Sequence, residues 1–392
     1  MDYDIDSELI RRDFPVSRRN IYMNNGAIAP TPLSTVKAIT DFLLKCSEDG
    51  PSSERMSQFI ESLMKETRIR ISHLINCEAE EIVFTQSTTE GINYVANGVQ
   101  LNKNDSIIVR GGIQEHPANY LPWLQLSRRK SVKIDELRID ENGFFDVAEL
   151  EKMSKKKNTR LVVLSHALYN NGAIMPVDKV GKIAKENNIL YCIDAAQTVG
   201  SINVDVKKIG CDFMAFPAFK WICGPLGVGV FYCNKKAVHS LSPQFIGAES
   251  AILTEQKKIS LHESPERFQA GFRNYPGIAG LESSLRYILR LGIMNIRKKN
   301  TKIANLLRDE LARIPSVIIY GPESDNLRTS IISFSSTKLN SEDIVTKLQQ
   351  NETILAKRSM GNRGDVVRAS PHFFNNEEDV IRVGNFLKSL LR

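Results

Sequence analysis

The chain has 392 residues, of which 42% are hydrophobic and 25% are charged, as is ordinary for a globular protein large enough for two domains. It has no apolar run near the roughly 18 residues that cross a bilayer, and its net charge of +7 is not accompanied by a nucleic-acid-binding motif. We therefore expect neither a membrane nor a nucleic-acid partner. A basic nucleic-acid binder stays as a hypothesis that rests on net charge alone.

The N-terminal sequence and the cysteines indicate the cellular compartment. The first residues, MDYDIDSELIRRDFPV, lack the basic flank and the apolar run of a secretion signal. No two of the six cysteines form a CxxC pair, and Cys192 lies within an apolar run. We expect a cytoplasmic protein with free thiols, without a disulfide framework and without a metal site.

Short apolar runs alternate with helical patterns from about residue 80 to 235. The runs are EIVF (81–84), SIIVRG (106–111), RLVVLSHA (160–167), ILYCIDAA (189–196), DFMAFPA (212–218) and GVGVFYC (227–233). Runs that do not alternate with polar residues indicate strands covered on both faces, so this region predicts an α/β fold with a mostly parallel sheet. Ligands bind beyond the carboxyl ends of the strands in such sheets.

The pattern changes beyond residue 280. Helical patterns at about 280–314 and 341–350 flank the strand-like segments SVIIY and SIISFSS, and a last helix covers about 376–391. We predict a large domain over residues 21–280 and a smaller α+β C-terminal domain over 281–392, joined by residues 1–20.

Two chemically informative residues follow apolar strands. Asp194 ends ILYCIDAA, and Lys220 lies 26 residues later, before a glycine-rich turn. An ammonium group is costly to bury, so this lysine is either a functional amine or one that snorkels to the rim of the sheet. An enzyme that uses pyridoxal 5'-phosphate (PLP) needs a lysine for the Schiff base, a carboxylate at the ring nitrogen and a phosphate cradle. Lys220, Asp194 and the helix start at Ser87-Thr88-Thr89 match these needs, although the last is also an ordinary helix cap.

At this point the sequence resembles a known family, the class V aminotransferases. This branch of the fold-type I PLP enzymes includes cysteine desulfurases, selenocysteine lyases and isopenicillin N epimerase-like proteins. The matching segments are IYMNNGAIAP (21–30), TTEGIN (88–93), QEHPAN (114–119), HALYNNGAIMPV (166–177), DAAQ (194–197), FKWICGPLGVG (219–229), RFQAGFRN (267–274) and VVRASPHFFNNEEDV (366–380). The resemblance implies a large domain with a seven-stranded, mostly parallel sheet, a smaller C-terminal domain and a homodimer.

The resemblance also implies roles around the cofactor. Lys220 is similar to the Schiff-base lysine, Asp194 to the partner of the pyridinium nitrogen, and Gln197 to the residue that contacts the ring oxygen. His116 stands where the family stacks an imidazole on the ring, although a lone histidine is otherwise an ordinary polar core residue. Thr88 and Thr89 match the threonines on the phosphate side.

Three further residues are expected at the substrate. Arg368 stands where the family holds the α-carboxylate of an amino-acid substrate, which suits the two-pronged guanidinium group; the alternative is a surface salt bridge. Arg358 is a second candidate for this task, and Asn25 lies in the opening motif that is expected to line the substrate side.

Several family positions differ in this chain. Pro217 and Phe219 replace a serine and a histidine that help to hold the phosphate, and Phe272 replaces a threonine that reaches it from the partner subunit. Tyr169 replaces an asparagine near the ring. Arg273, beside Phe272, is the residue that we expect to supply a compensating charge.

The reaction type is left open by the sequence. Cysteine desulfurases carry a cysteine on a loop before the final arginine motif, but LAKRSMGNRGDVVRAS (355–370) contains none. Together with the VVRASPHFFN ending, this favours a lyase- or epimerase-like reaction on an α-amino acid. A transaminase, a desulfurase that uses a non-standard thiol such as Cys223, and a non-catalytic protein with this fold remain as alternatives.

Overall fold

The computed structural model describes residues 5–111, 115–256 and 258–392. Gln114, the first residue of the QEHPAN segment, and residues 1–4 of the N-terminal segment lie outside the described residues. The strands are β1 (Ile21–Tyr22), β2 (Ile82–Thr85), β3 (Ser106–Arg110), β4 (Lys133–Leu137), β5 (Thr159–Ser165), β6 (Leu190–Asp194), β7 (Phe213–Pro217), β8 (Gly229–Cys233), β9 (Ala251–Leu253), β10 (Ile259–Leu261), β11 (Val317–Tyr320), β12 (Ile332–Ser336), β13 (Thr353–Ile354), β14 (Ala356–Ser359) and β15 (Asp365–Ala369).

The α-helices of the described chain connect and cover these strands. They are α1 (Ser7–Arg11), α2 (Leu33–Asp49), α3 (Glu54–Ile75), α4 (Thr88–Gly98), α5 (Leu121–Lys130), α6 (Val147–Ser154), α7 (Val177–Glu186), α8 (Val206–Ile209), α9 (Tyr275–Leu291), α10 (Ile293–Ala312), α11 (Ser341–Gln350) and α12 (Glu377–Leu390). None of the helices in the described ranges has both the length and the apolar character that a membrane crossing requires.

The central sheet has seven strands in the order β2-β8-β7-β6-β5-β3-β4. Strand β8 is antiparallel to both of its neighbours, and the other neighbouring strands are parallel. This arrangement confirms the predicted α/β fold with a mostly parallel sheet. Each apolar run contributes alternate side chains to the two faces: in β6, Tyr191 and Ile193 join one core cluster, and Cys192 joins the other.

The apolar runs of the sequence do not predict strand β4. It lies at one edge of the sheet, and its residues KIDEL are mostly exposed or half-buried. Because β4 is not covered on both faces, its sequence lacks the continuous apolar run that marks the other six strands.

The C-terminal part forms a four-stranded antiparallel sheet in the order β11-β12-β15-β14, with α10, α11 and α12 packed around it. The helical pattern predicted at 280–314 is two helices, not one, because Gly292 has φ of +79° and ends α9 before α10 begins. The N-terminal segment packs here too: Phe14 stacks on Phe374, and β1 pairs with β13. The domain boundary at residue 280 stays a prediction.

Candidate active site

The centre of the site lies at the carboxyl end of β6, where Asp194 ends the strand. Asp194 is 5% exposed, and one of its carboxylate oxygens accepts the backbone N–H of Ala196 at 2.8 Å. Removal from water raises the pKa of Asp194 to about 6, against the opposing charge of Lys220. A positive group placed near this carboxylate would therefore be strongly stabilised.

Lys220 lies in the turn that follows β7, and β7 is the strand that pairs with β6 in the sheet. Its carbonyl oxygen accepts the N–H of Cys223 at 2.8 Å, and Cys223 has φ of +56°, so the backbone reverses direction immediately after the lysine. Loss of hydration, together with the charges of Arg368 and Arg358, lowers the pKa of Lys220 to about 8, against the effect of Asp194. A large fraction of this amine is thus neutral near pH 8, as a nucleophilic lysine requires.

A single cavity joins these two residues with most of the others that the sequence predicted. It is lined by Ser87, Thr88, Thr89, His116, Ala118, Ser165, Ala167, Tyr169, Asp194, Ala196, Gln197, Pro217, Phe219 and Lys220. These residues follow strands β2, β3, β5, β6 and β7, so the cavity occupies the expected edge of the sheet.

His116 is a neutral side chain in this cavity. Its Nδ1 accepts the N–H of Ala118 at 3.2 Å, which leaves the proton on Nε2. Burial, together with the charges of Lys220, Arg368 and Arg358, lowers the pKa of His116 to about 4. The imidazole contacts the ring of Tyr169 edge-on, with 5.0 Å between the ring centroids.

A buried ion pair behind His116 escaped the sequence analysis. Arg110 and Glu115 are both buried, and their charged groups lie 3.5 Å apart. Glu115 also accepts the backbone N–H of His116 at 2.9 Å and the hydroxyl of Ser165. Through these two hydrogen bonds, Glu115 links the His116 segment to Ser165 at the end of β5. The available signal was Arg110 at the end of an otherwise apolar strand.

The helix start predicted to hold the phosphate faces the cavity. The Ser87 hydroxyl accepts the N–H of Glu90 at 3.2 Å and caps α4, while Thr88 is buried and Thr89 is exposed. A Cβ at Gly229 would lie 2.9 Å from the backbone of Ser87, so only glycine lets β8 pack under this turn. The first turn of α4 therefore offers backbone N–H groups and hydroxyls for an anion.

At the replaced family positions 217 and 219, the cavity wall carries no side-chain hydrogen-bond donor. Pro217 and Phe219 line the wall but supply no side-chain donor. Arg273 is not among the lining residues: its guanidinium lies 4.0 Å from Glu90 and donates to the carbonyl of Gly271 at 3.1 Å. A role for Arg273 in holding a phosphate stays a prediction.

Arg368 and Asn25, the predicted substrate residues, are buried beside Gly26 rather than on the cavity wall. Arg368 donates to the carbonyl of Tyr169 at 2.7 Å and to the side-chain oxygen of Asn24 at 3.3 Å, and its Nε has no partner. Asn25 donates to the carbonyl of Ser370 at 2.8 Å, and its side-chain oxygen has no partner. Neither residue lines the cavity, so a contact of Arg368 or Asn25 with a substrate stays a prediction.

Arg358 lies on β14, the strand that pairs with β15 and Arg368. Its guanidinium is half-buried and donates to the neighbouring carbonyl of Lys357 at 2.6 Å. It lowers the pKa values of Lys220, His116 and Arg368, so its charge acts on the same site, although it does not line the cavity.

The six cysteines are free, and the cavity walls contain none of them. Cys223 is the nearest to Lys220 in the chain, but its side chain packs with Phe14 and Tyr287 in a separate apolar cluster. Burial raises the pKa of the Cys223 thiol well above its usual range, which opposes formation of a thiolate.

The chain is similar in sequence and in fold to known proteins. The pattern "Aminotransferase class-V" matches residues 21–383. A probable cysteine desulfurase from Methanothermobacter thermautotrophicus is 32% identical, over 98% of this chain and 98% of that protein. The apo structure of a cysteine desulfurase from Thermococcus onnurineus NA1 has a TM-score of 0.93 and 30% identity, covering 100% and 99% of the two chains. A complex of the cystine C-S lyase C-DES with cysteine persulfide has a TM-score of 0.88 at 24% identity, covers 96% of this chain and 99% of that one, and shares the fold.

Proposed function

The chain belongs to the aminotransferase class-V family of PLP-dependent enzymes, and we propose that it performs lyase- or epimerase-type chemistry at Cα of an α-amino acid without a protein persulfide. One observation carries this proposal. The cavity combines Lys220 and Asp194 at the ends of neighbouring strands, and no thiol lines it.

The residues of the cavity fit PLP. Lys220 offers an amine whose pKa is lowered to about 8, and Asp194 offers a buried carboxylate for the ring nitrogen. Gln197 lines the wall and carries an amide N–H for the ring oxygen, and the first turn of α4 offers donors for the phosphate. When bound, PLP would supply an electron sink for negative charge at Cα.

Lys220, Asp194 and Arg368 each have a separate task in the proposed reaction. Lys220 would hold the cofactor through its neutral amine, and the same amine, when free, would be placed to take the proton from Cα. Asp194 retains the proton on the ring nitrogen, because a buried carboxylate stabilises a nearby cation. We expect Arg368 to attract the substrate carboxylate through its charge, which also acts on Lys220 and His116, and the apolar side chains of Pro217 and Phe219 line the wall.

A cysteine desulfurase is the second candidate function, and the names of the relatives favour it. That reaction passes sulfur to a mobile thiolate on the enzyme. Residues 355–370 contain no cysteine, and Cys223 is buried with a raised pKa. None of the six cysteines lines the cavity, so a desulfurase mechanism would require a thiol that reaches the cavity from elsewhere.

One experiment separates the two candidates. The PLP-loaded protein is incubated in deuterated water with a panel of amino acids, and exchange of the α-proton is followed together with persulfide by mass spectrometry. We expect α-proton exchange with at least one amino acid and no persulfide after treatment with L-cysteine. A persulfide on any of the six cysteines would reject the proposal in favour of the desulfurase. Product analysis with pyruvate present then distinguishes a transaminase.

We also propose a homodimer, with a second copy covering the exposed apolar face near α2. Leu43 and Leu44 of α2 are 52% and 55% exposed, and Phe272 is 87% exposed. Leu43 and Phe272 line the same groove as Tyr275, and Phe272 occupies the position expected to reach the neighbouring subunit. Light scattering measures the mass of the particle in solution. A monomer mass for stable, active protein at micromolar concentration would contradict this assembly. The cytoplasmic location stays a prediction.

A further inference from the structure

Gln197 is held by two hydrogen bonds of opposite polarity. Its side-chain oxygen accepts the indole N–H of Trp221 at 2.9 Å, and its Nε2 donates to the carbonyl of Gly26 at 2.9 Å. Gln197 is 3% exposed and Trp221 is fully buried, so water does not replace either bond. Both termini of the amide are therefore tied to the protein.

The chemistry of the two partners permits only one orientation of the amide. An indole nitrogen can only donate, and a backbone carbonyl can only accept. If the amide of Gln197 turned by 180°, its NH₂ group would face the indole N–H and its oxygen would face the carbonyl of Gly26. The observed orientation leaves the second proton of Nε2 free for the cavity that Gln197 lines.

The backbone of Trp221 is itself fixed by a buried histidine that does not line the cavity. His372 Nε2 lies 3.0 Å from the carbonyl oxygen of Trp221, so this nitrogen carries the proton of the imidazole. Burial lowers the pKa of His372 to about 3, so the ring is neutral, and its Nδ1 accepts from the amide of Asn300 at 3.2 Å. Trp221, His372 and Asn300 are all buried, and together they connect α10 to the turn after Lys220.

The backbone around Trp221 is also closely packed. Gly200, in the turn after Gln197, has φ of +93°, and a Cβ at this position would lie 2.6 Å from the backbone of Trp221. A side chain at position 200 would therefore push the two turns apart. The indole and the amide of Gln197 lie on two segments that are held together independently of their hydrogen bond.

We propose that Trp221 is a positioning residue, whose indole N–H fixes the amide of Gln197 so that a hydrogen-bond donor faces the cofactor ring oxygen. The inference rests on the proposed function, because it assigns a task to the cofactor contact of Gln197. The indole acts through Gln197 and does not contact the cofactor itself. It deepens the assignment by naming a residue outside the cavity wall that determines how the ring is recognised.

The bond itself is tested without cofactor. The chain has two tryptophans, so ¹⁵N-tryptophan labelling gives two indole N–H signals, assigned by Trp123→Phe and Trp221→Phe. Trp123 is equally buried, and its indole N–H contacts Asn119 at 3.4 Å, which makes it an internal control. We expect Gln197→Ala to move the Trp221 signal and to leave the Trp123 signal in place. An unchanged Trp221 signal would overturn the proposal, even if Trp221→Phe fails to fold.

A double-mutant cycle tests whether the hydrogen bond between Trp221 and Gln197 contributes to cofactor binding, with the dissociation constant of PLP as the measured quantity. Trp221→Phe and Gln197→Ala should each weaken PLP binding about tenfold, the factor that corresponds to one lost buried hydrogen bond. In the Gln197→Ala background, Trp221→Phe should add less than about twofold, because the residue through which it acts is absent. Trp123→Phe should leave the constant unchanged.

The outcomes separate this inference from the proposed function. A Trp221→Phe effect of equal size with and without Gln197 would overturn the positioning role, and so would unchanged PLP binding in Trp221→Phe. Failure of the wild-type chain to bind PLP would contradict the proposed function instead, while the indole signals would still report whether the bond to Gln197 exists.

Discussion

The two ends of the cavity differ in how completely their polar groups are specified. At the ring end, Asp194 and Gln197 are buried and held by hydrogen bonds to Ala196, Trp221 and Gly26. At the expected phosphate end, the start of α4 shares the cavity wall with Pro217 and Phe219, which supply no side-chain donor. The ring end is thus organised by side chains, whereas the phosphate end depends on the backbone of α4 and on the hydroxyls of its first turn.

This difference suggests how the chain distributes its recognition of the cofactor. Buried side-chain networks are rigid and demanding, because each unpaired member costs about 1–3 kcal/mol. Backbone donors at a helix start bind an anion without any particular side chain. A loss of side chains at the phosphate end is therefore tolerated more readily than a change at the ring end, and substitutions at the two ends test this comparison.

The largest effect is expected at Lys220, the central residue of the ring end. Lys220→Ala removes both the amine that holds the cofactor and the base for the α-proton, so turnover should fall about 10⁴-fold. Steady-state kinetics measure this loss, and Lys182→Ala, at an exposed lysine on α7, is the matched control. Retention of more than about a tenth of the activity in Lys220→Ala would show that another residue performs the chemistry.

A smaller but still severe loss is expected for Asp194→Asn. The amide oxygen can keep the bond to the N–H of Ala196, so PLP should remain bound, but a neutral amide does not stabilise the protonated ring nitrogen. Turnover should fall about 10²–10³-fold. Unfolding by urea should show that the variant is at least as stable as the wild type at pH 7, since a buried carboxylate with a raised pKa has been neutralised. Unchanged turnover would remove Asp194 from the ring.

The strands of the central sheet could be predicted because each contributes apolar side chains to two buried faces. The long helices α2 and α3 had no comparable signal, since Leu43 and Leu44 of α2 stay exposed in the single chain. The partners of the buried polar groups could not be predicted either, although Arg110 at the end of an apolar strand marked one such group. Glu115 meets Ser165 and Gln197 meets Trp221 only after the sheet has formed, and these bonds join segments that are distant in the chain.

The pH dependence of cofactor attachment tests the electrostatics of the ring end. Only the neutral amine of Lys220 attacks, and its pKa is lowered to about 8, so attachment should accelerate with rising pH and level off above about pH 8. Below that value, the rate should fall about tenfold for each pH unit. Stopped-flow absorbance records the rate. A plateau reached only near pH 10 would mean that burial does not lower the pKa of this lysine.

The smallest expected effect is a gain at the phosphate end. Phe219→His places a side-chain donor on the wall beside α4, so PLP should bind about five- to tenfold more tightly. Equilibrium dialysis measures the constant, and Phe219→Leu controls for the loss of the phenyl ring. Weaker binding in Phe219→His than in Phe219→Leu would show that this end does not lack donors.

The central claim is that Lys220 carries the cofactor, and chemical trapping tests it most directly. The PLP-loaded protein is reduced with borohydride, digested and mapped by mass spectrometry, which fixes the cofactor to the amine that holds it. We predict that the peptide containing Lys220 carries the pyridoxyl group and that Lys220→Ala abolishes the label. A pyridoxyl group on any other lysine of the wild-type chain, with Lys220 unmodified, would contradict the account.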